Sequence, residues 1–588
     1  MDVNFLSDDE DEDFDFLGSI DEAERQNEAN HRQQVPVQKV IPRKKIPVIA
    51  NLIDENTVQF SDSPELQQTY VANQAVHVFV DQNSFWNIPI KNYRRVINAL
   101  KKSEAFDVNL DVIPDTIFTA ISTFKPKPTD PSMLNSLPKK ILTSLMNHQR
   151  ESILFAISRS FRVFIADAMG LGKTIEAISC ACVAGFPNKA RVIVFAPLEM
   201  VSTWFDSFLK YTNISTSNIN MVLKSQKIPP TPLTIISYSA AQRATENLLQ
   251  IDYDMAIVDE SHVLKNSKTK TYTSIFPILS KVKYLILLSG TPTLNRPSEL
   301  FSQLKLLLPK VFSSFIEFAN RYCHGGLNSL GHFEANGCTH AEELKFVLQH
   351  LVMIRREKDE VLDLPQKRRY HILLNYSPST SMREKMSQVR VSQLAICSGM
   401  QTMKTEHTKV LTSLYSETAH EKLESILNWF CSADFRRPFF NENRKCLIFA
   451  RHLFVLNGIQ DWMTKQGIDC ITISGATQRI QRDALLNRFR TTPECKVSIL
   501  GLDVASTGIT LTEASLVVFA EFAWTPGEHL QAEDRVHRIG QKRDVEIYYL
   551  HAPGSLDDRI WELLENKLNV ISLVISSNVK TFETDLGA

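Results

Sequence analysis

Residues 164–174, FIADAMGLGKT, bring together the residue types that hold phosphate. Val163, Phe164 and Ile165 drive the backbone into a sheet, and Gly170 and Gly172 permit the tight turn that follows. Successive N–H groups and the first turn of the next helix then face one point, a seat for phosphate oxygens. In such a seat Lys173 reaches the outer phosphates and the Thr174 hydroxyl holds Mg²⁺. Asp167 stands where the strict pattern has its first glycine. MAIVDESH places Asp259 and Glu260 at the end of another apolar strand, 86 residues beyond Lys173. One acid to orient a metal ion and the next to polarise a water is what phosphoryl transfer to water requires. LLSGTP sets Ser289 and Thr291 at a third strand end, where their hydroxyls either sense the Asp259–Glu260 pair or make a structural turn. QAEDRVHRIGQ (531–541) spaces Arg535 and Arg538 three apart on one predicted helical face. Two guanidiniums aimed across a cleft stabilise charge on a transferring phosphoryl group by about 10³–10⁵ in rate. A surface ion pair with Glu533 or Asp534 is the plainer alternative.

The elements that must position these residues alternate from residue 140 onwards, the pattern of a mainly parallel sheet covered on both faces. RVIVFAP (191–197), LTIISYS (233–239), MAIVDE (255–260) and YLILLSGTP (284–292) are short apolar strands with polar or small endings. Residues 294–430 read as mostly helical. A second series follows: KCLIFA (445–450), DCITISG (469–475), KVSILGL (496–502), LVVFAE (516–521) and VEIYYLHA (545–552). Ligands collect at the carboxyl ends of such strands, and two sheets imply a cleft between them. The expected division is a first α/β lobe over 140–350, a helical linker region over 351–440 and a second lobe over 441–588. Ahead of them, 66–125 reads as a small folded α+β unit. VHVFV (76–80) alternates like a strand, and YRRVINALKK (93–102) has helical spacing. Between these lies FWNIPIKNY (85–93), in which Trp86 is either a core aromatic or a stacking surface for nucleic acid. Residues 1–65 read as a disordered acidic tail and a proline-bearing linker.

A net charge of −1 conceals an asymmetry. Residues 1–30 hold twelve acids and one base, a charge of −11, which leaves +10 on the remainder. A body charged in that way suits a phosphate backbone if the charge is focused in a cleft. Overall neutrality therefore excludes nothing. At 588 residues, with 43% hydrophobic and 22% charged residues, the chain has the composition of a soluble protein of two to four domains. No apolar run approaches the ~20 residues of a membrane span. Nine scattered cysteines argue for reduced thiols in cytosol or nucleus.

In order along the chain, LMNHQ (145–149), DAMGLGKT, FAPLEMVSTW (195–204), DESH, LLSGTPTLNRPSEL (287–300), KCLIFA, ISGATQRIQR (473–482), DVASTGITLT (503–512) and QAEDRVHRIGQ resemble the motifs of superfamily 2 helicases. With FANRYC (318–323) and MIRREKDEVLDLP (353–365) the chain is more narrowly similar to SWI/SNF-type ATPases. FWNIPIKNY and FAEFAWTPGEHLQAEDRVHRIGQ (519–541) resemble the HARP annealing-helicase branch. The resemblance covers roughly 70–575. It implies two RecA-like parallel-sheet lobes with helical insertions, preceded by a small HARP-like domain that binds DNA structures. It further implies adenine recognition by Gln149 and binding of ATP and Mg²⁺ by Asp167, Gly170, Gly172, Lys173, Thr174 and Asp259. Glu260 would be catalytic and Arg535 and Arg538 the arginine fingers, while Thr507 and Gly508 would track a DNA backbone. His148 and Ala168 depart from the family's usual residues at their positions.

The expected activity is a nuclear DNA-dependent ATPase that translocates on branched or forked DNA and rewinds separated strands. A nucleosome remodeller is the alternative, and an RNA helicase is disfavoured by Gln541 at the end of the last motif. A single-strand DNA-binding protein is a candidate partner through a faint helical pattern at 21–34. Cys323, His324, His332, Cys338 and His340 fall within eighteen residues, but without the spacing of a zinc site, so a surface loop is expected there.

Overall fold

The computed structural model describes residues 45–80, 83–102, 107–223, 228–293, 295–328, 331–397, 403–507, 510–575 and 584–586. They form two compact units. One contains the described residues up to Lys127 together with Leu300–Met353; the other contains Pro128–Glu299 and the residues from Ile354 onwards.

The first unit is built on a mixed sheet of β1 (Lys45–Leu52), β2 (Thr57–Ser61), β3 (Val76–Val80), β4 (Asn83–Pro89) and β5 (Asp107–Asp111). Their order is β3-β4-β2-β1-β5, antiparallel except where β1 meets β5. β1 and β2 lie in the stretch expected as linker. The prolines misled that expectation, because Pro47 takes an outward position while Ile46, Val48, Ala50 and Leu52 alternate inward. The helices Tyr93–Lys101 and Asp115–Thr123 bury Tyr93, Val96, Ile97, Leu100, Ile117, Phe118 and Ile121.

The residues 300–353, expected in the first α/β lobe, cluster instead with this sheet. A buried ionic lock ties them to it. Arg321, on the helix Phe315–Tyr322, donates to Glu343 at 3.1 and 2.7 Å, to Asp111 at 2.6 Å and to the Ala50 carbonyl at 2.5 Å. Glu343 also accepts from the Tyr322 hydroxyl and the Leu52 N–H, both at 2.9 Å. His340 joins the same network through Asp111 and Asn51. Each polar group gained by burial is thus answered by another.

The second unit holds two parallel sheets. The first runs β6 (Arg162–Ile165), β7 (Val192–Ala196), β8 (Ile219–Val222), β9 (Leu233–Ser237), β10 (Met255–Asp259) and β11 (Tyr284–Leu288) in the order β6-β11-β10-β7-β9-β8. Every residue of β7 and β9 is buried, as befits strands covered on both faces. The other sheet has the order Cys470–Ile473, Val497–Gly501, Lys445–Ala450, Ala514–Phe519, Val545–His551 and Lys367–Leu373. Thr584–Leu586 completes it on the far side of Lys367–Leu373. The latter strand lies within the region expected to be helical and pairs with Val545–His551 along its whole length. Its charged residues disguised it: Lys367 and Arg369 turn to the buried carboxylate of Glu533, at 3.0 and 2.7 Å. No helix among the described residues is long and apolar enough to cross a membrane.

Candidate phosphate site at the strand ends

β6 leads into the turn 166–172 and then the helix Lys173–Val183. Gly170 and Gly172 adopt φ of 88° and 90°, which residues with a Cβ rarely reach. A Cβ on Gly172 would run into the Gln149 amide, so the turn closes only over glycine there. Gln149 donates to the Leu171 carbonyl at 2.8 Å and accepts from the Met146 N–H at 3.0 Å, holding the last turn of the loop in place. The His148 ring is buried and also meets the Leu171 carbonyl, at 3.1 Å.

The Lys173 ammonium folds back onto the loop, 2.8 Å from the Asp167 carbonyl oxygen and 3.4 Å from that of Ala168. The Asp167 carboxylate is fully buried and turns the other way, to Arg356 at 2.8 Å and Ser152 at 3.4 Å. Its side chain therefore braces the loop from behind and does not face the phosphate seat; only its carbonyl does. Beside it Glu176 is fully buried, and burial, with the Asp167 charge, raises its pKa well above the usual carboxylate value. Thr174 occupies the second position of the helix.

Asp259 ends β10, with one oxygen bonded to the Trp204 indole N–H at 2.7 Å and the other to the Glu260 N–H at 3.1 Å. Burial, then the adjacent Glu260 charge, pushes its pKa up to about 6. Glu260 sits at φ 50°, a left-handed conformation uncommon outside glycine and associated with functional turns. Burial works against its charge, but the hydrogen bond and charge of His262, with Lys173 and Arg535, outweigh it and leave the pKa lowered. The buried Ser289 hydroxyl lies 3.4 Å from Glu260 and 3.1 Å from His262. The Thr291 hydroxyl, by contrast, is buried without a hydrogen-bond partner among the described residues.

Arg535 and Arg538 come to this site from the second sheet. A Cβ on Gly170 would sit 3.2 Å from the Arg538 Cβ, so the two lobes touch at the phosphate loop. Arg535 is buried, which pulls its pKa down to about 10 against the opposing influence of Glu260. The two arginines do not share a helix, because the helix Pro526–Glu533 has already ended. They lie on the following turn, whose carbonyls are captured from outside: that of Val536 by the Gln541 amide at 3.2 Å, that of His537 by the Lys358 ammonium. Glu533 bonds with Arg369, Lys367 and Tyr549, and Asp534 with Lys358, while the Asp534 charge also acts on Arg535 and Arg538. Arg538 also donates to the Thr510 hydroxyl at 2.7 Å.

Thr507 closes the turn Leu502–Thr507, and Gly508 lies outside the described residues, as does 21–34. Trp86 is a core residue and not a stacking surface. Strand alternation turns it inward beside Ile88; its indole donates to Asp62 at 2.7 Å, and His77 covers it at 4.6 Å. Among the described residues no three potential ligands converge on a metal position, and His340 of the Cys/His stretch belongs to the ionic lock. The motif MIRREKDEVLDLP (353–365) did not announce what its basic residues at 355, 356 and 358 do, which is to brace the loop. Arg355 donates to the Ala166 and Gly290 carbonyls at 2.8 and 3.1 Å, and Arg356 holds Asp167. A pair of arginines directly after an apolar strand was the available signal.

A phosphate loop and acid pair on one parallel sheet, met by guanidiniums from another, define a two-lobed ATPase motor. Residues 148–427 match the SNF2-related domain and residues 396–540 the helicase conserved C-terminal domain. A Caenorhabditis elegans homologue of the SWI/SNF-related matrix-associated actin-dependent regulator of chromatin subfamily A-like protein 1 is 36% identical over 85% of this chain and 71% of its own length. The Xenopus laevis protein of that name is 31% identical over 85% of this chain and 52% of its own. A Mus musculus DNA annealing helicase and endonuclease is 33% identical over 75% of this chain and 41% of its own. The chain therefore belongs to the SNF2-type superfamily 2 ATPases, in the subfamily of the A-like protein 1 and its relatives, although it spans only about half the length of several of them.

Proposed function

We propose that the protein is an ATP-dependent DNA translocase that rewinds separated strands and remodels branched or stalled replication forks in the nucleus. The observation that carries this reading is the approach of Arg538 to Gly170, with Arg535 close enough to influence Glu260. The names of the annealing-helicase relatives support the choice of DNA and of rewinding.

The cradle suits a nucleotide triphosphate with Mg²⁺. Its two left-handed glycines let Gln149 and Arg538 close in on the turn where a Cβ would otherwise stand, and Lys173 rests on carbonyl oxygens that it would exchange for phosphate oxygens. Thr174 and Asp259 are the residues to hold Mg²⁺, which when bound neutralises charge on the phosphates. Glu260, its pKa lowered and its carboxylate ionised, orients a water and accepts its proton. Ser289 senses that change and passes it to the loop 289–291, while Arg535 and Arg538 stabilise the charge on the departing phosphoryl group. Arg538 donates to Thr510, three residues after Thr507 in the chain, which links hydrolysis to the grip on a DNA backbone. That grip is on phosphates, so it is insensitive to sequence and weakens with salt.

The test is ATP hydrolysis without DNA and with single-stranded, duplex and forked DNA, beside strand annealing on forks and sliding of nucleosomes. Stimulation strongest on forks, with annealing, is expected. A rate indifferent to DNA would overturn the proposal, and sliding without annealing would replace it by a chromatin remodeller.

A further inference from the structure

The stretch 354–358 touches both halves of the site. It first runs beside the phosphate loop as an added rung of sheet: the Ala166 N–H donates to the Ile354 carbonyl at 2.8 Å and the Ala168 N–H to that of Arg356 at 3.0 Å. Arg355 and Arg356 reinforce the same contact with their side chains. Two residues later the backbone starts the short helix Lys358–Val361, capped by Glu357 and Glu360. There Lys358 swings its side chain into the second lobe. Its ammonium meets Asp534 at 2.6 Å and the His537 carbonyl, the residues immediately before Arg535 and Arg538. Its Cε lies 4.0 Å from where a Gly170 Cβ would stand, so one side chain spans the distance between loop and fingers.

We propose that Lys358 is a positioning residue for ATP hydrolysis, a strut that fixes the turn carrying Arg535 and Arg538 at a set distance from the phosphate loop. This rests on the reading of the two arginines as fingers. The turn does not continue the helix: its own backbone bonds are a few short-range ones, and Gln541 and Lys358 additionally take the Val536 and His537 carbonyls between the two arginines. The cation is also placed where its burial is costly, since only 9% of the side chain is exposed and burial lowers its pKa despite the Asp534 charge beside it. A lysine with a purely cohesive role would gain little over a packed apolar side chain at such a position. Because Lys358 is two residues from the rung made by Arg356, a shift of the loop on nucleotide binding is delivered to the fingers through one short piece of backbone.

The experiment compares Lys358→Met, which keeps the stem and removes the charge, Asp534→Asn, and the two together, with Arg535→Ala as the reference for the fingers. DNA-stimulated kcat should fall about 10- to 100-fold in each single variant, part of the about 10³–10⁵ an arginine finger supplies. KM for ATP and the thermal midpoint should stay near those of the parent, and the double variant should be within about threefold of either single one. Full kcat in Lys358→Met overturns the inference, and so do multiplicative losses in the double variant or a loss that follows the thermal midpoint. Full kcat in Arg535→Ala instead strikes the finger assignment itself, so the two failures are distinguishable.

Discussion

Replacing Gly172 by alanine puts the geometry of the phosphate loop to a quantitative test. At φ 90° an L-residue is disfavoured by roughly 1–2 kcal/mol, whatever the space around it. The added methyl also collides with the Gln149 amide and must displace it. Gln149 then loses its hydrogen bonds to Leu171 and Met146, about 1 kcal/mol each. Together these give ~3–4 kcal/mol against the competent loop, or at least about 100-fold in kcat/KM for ATP. The Gln149→Ala variant alone loses only the two hydrogen bonds, ~2 kcal/mol or about 30-fold. In the double variant the collision is gone and only the φ penalty is added, so the losses should fall short of their product by about 30-fold. Steady-state ATP hydrolysis on a saturating DNA cofactor measures all four corners of this cycle. Losses that simply multiply would mean that Gln149 does not hold the turn, and that the contact seen at Gly172 has no energetic weight.

Glu260→Gln keeps the shape of the acid and removes its basicity, so kcat should fall about 10²-fold or more with KM for ATP and circular dichroism unchanged; wild-type turnover would refute its role. Trp86→Phe keeps the ring in the core and deletes its donor to Asp62, costing about 1–2 kcal/mol. Hydrogen exchange in 45–123 should speed up while annealing per folded molecule holds, whereas a selective loss of annealing would restore Trp86 to the DNA surface. His529 is buried, and burial pulls its pKa down to about 4, against the opposing Glu533 charge. The unfolded chain therefore takes up this proton first, and stability falls as pH drops from about 6.5 towards 4, by roughly 3 kcal/mol at most. Denaturant titrations across that window should show a shallower fall in His529→Gln; an identical slope would assign the effect elsewhere.

Apolar strands that end in chemistry are easily read from a sequence, because burial on both faces leaves a run of branched residues followed by an abrupt polar pair. β10 with Asp259 and Glu260 shows this, and so does β6 with its glycine turn. What escaped reading is held together by partners distant in sequence. The strand Lys367–Leu373 looks polar until Glu533 is placed beneath it, 166 residues after Lys367. The turn at 535–538 has helical spacing, yet its carbonyls are taken by Lys358 and Gln541. Trp86 carried the composition of a stacking surface, but period-two alternation in β4 sends it inward, and only the pairing of β4 with β2 and β3 settles which way that is. Asp167 likewise looked like a flaw in a phosphate motif until Arg356 appeared behind it.

The ionic lock of the first unit has a consequence for anyone dissecting the protein. Arg321 and Glu343 are encoded within the span that matches the SNF2-related domain, yet they find Ala50, Leu52 and Asp111 on strands encoded 210 to 291 residues earlier and outside that span. A fragment trimmed to the family boundaries would strand an acid and a base in an apolar setting with half their partners deleted. A self-sufficient piece therefore has to include β1, ahead of any recognisable helicase motif.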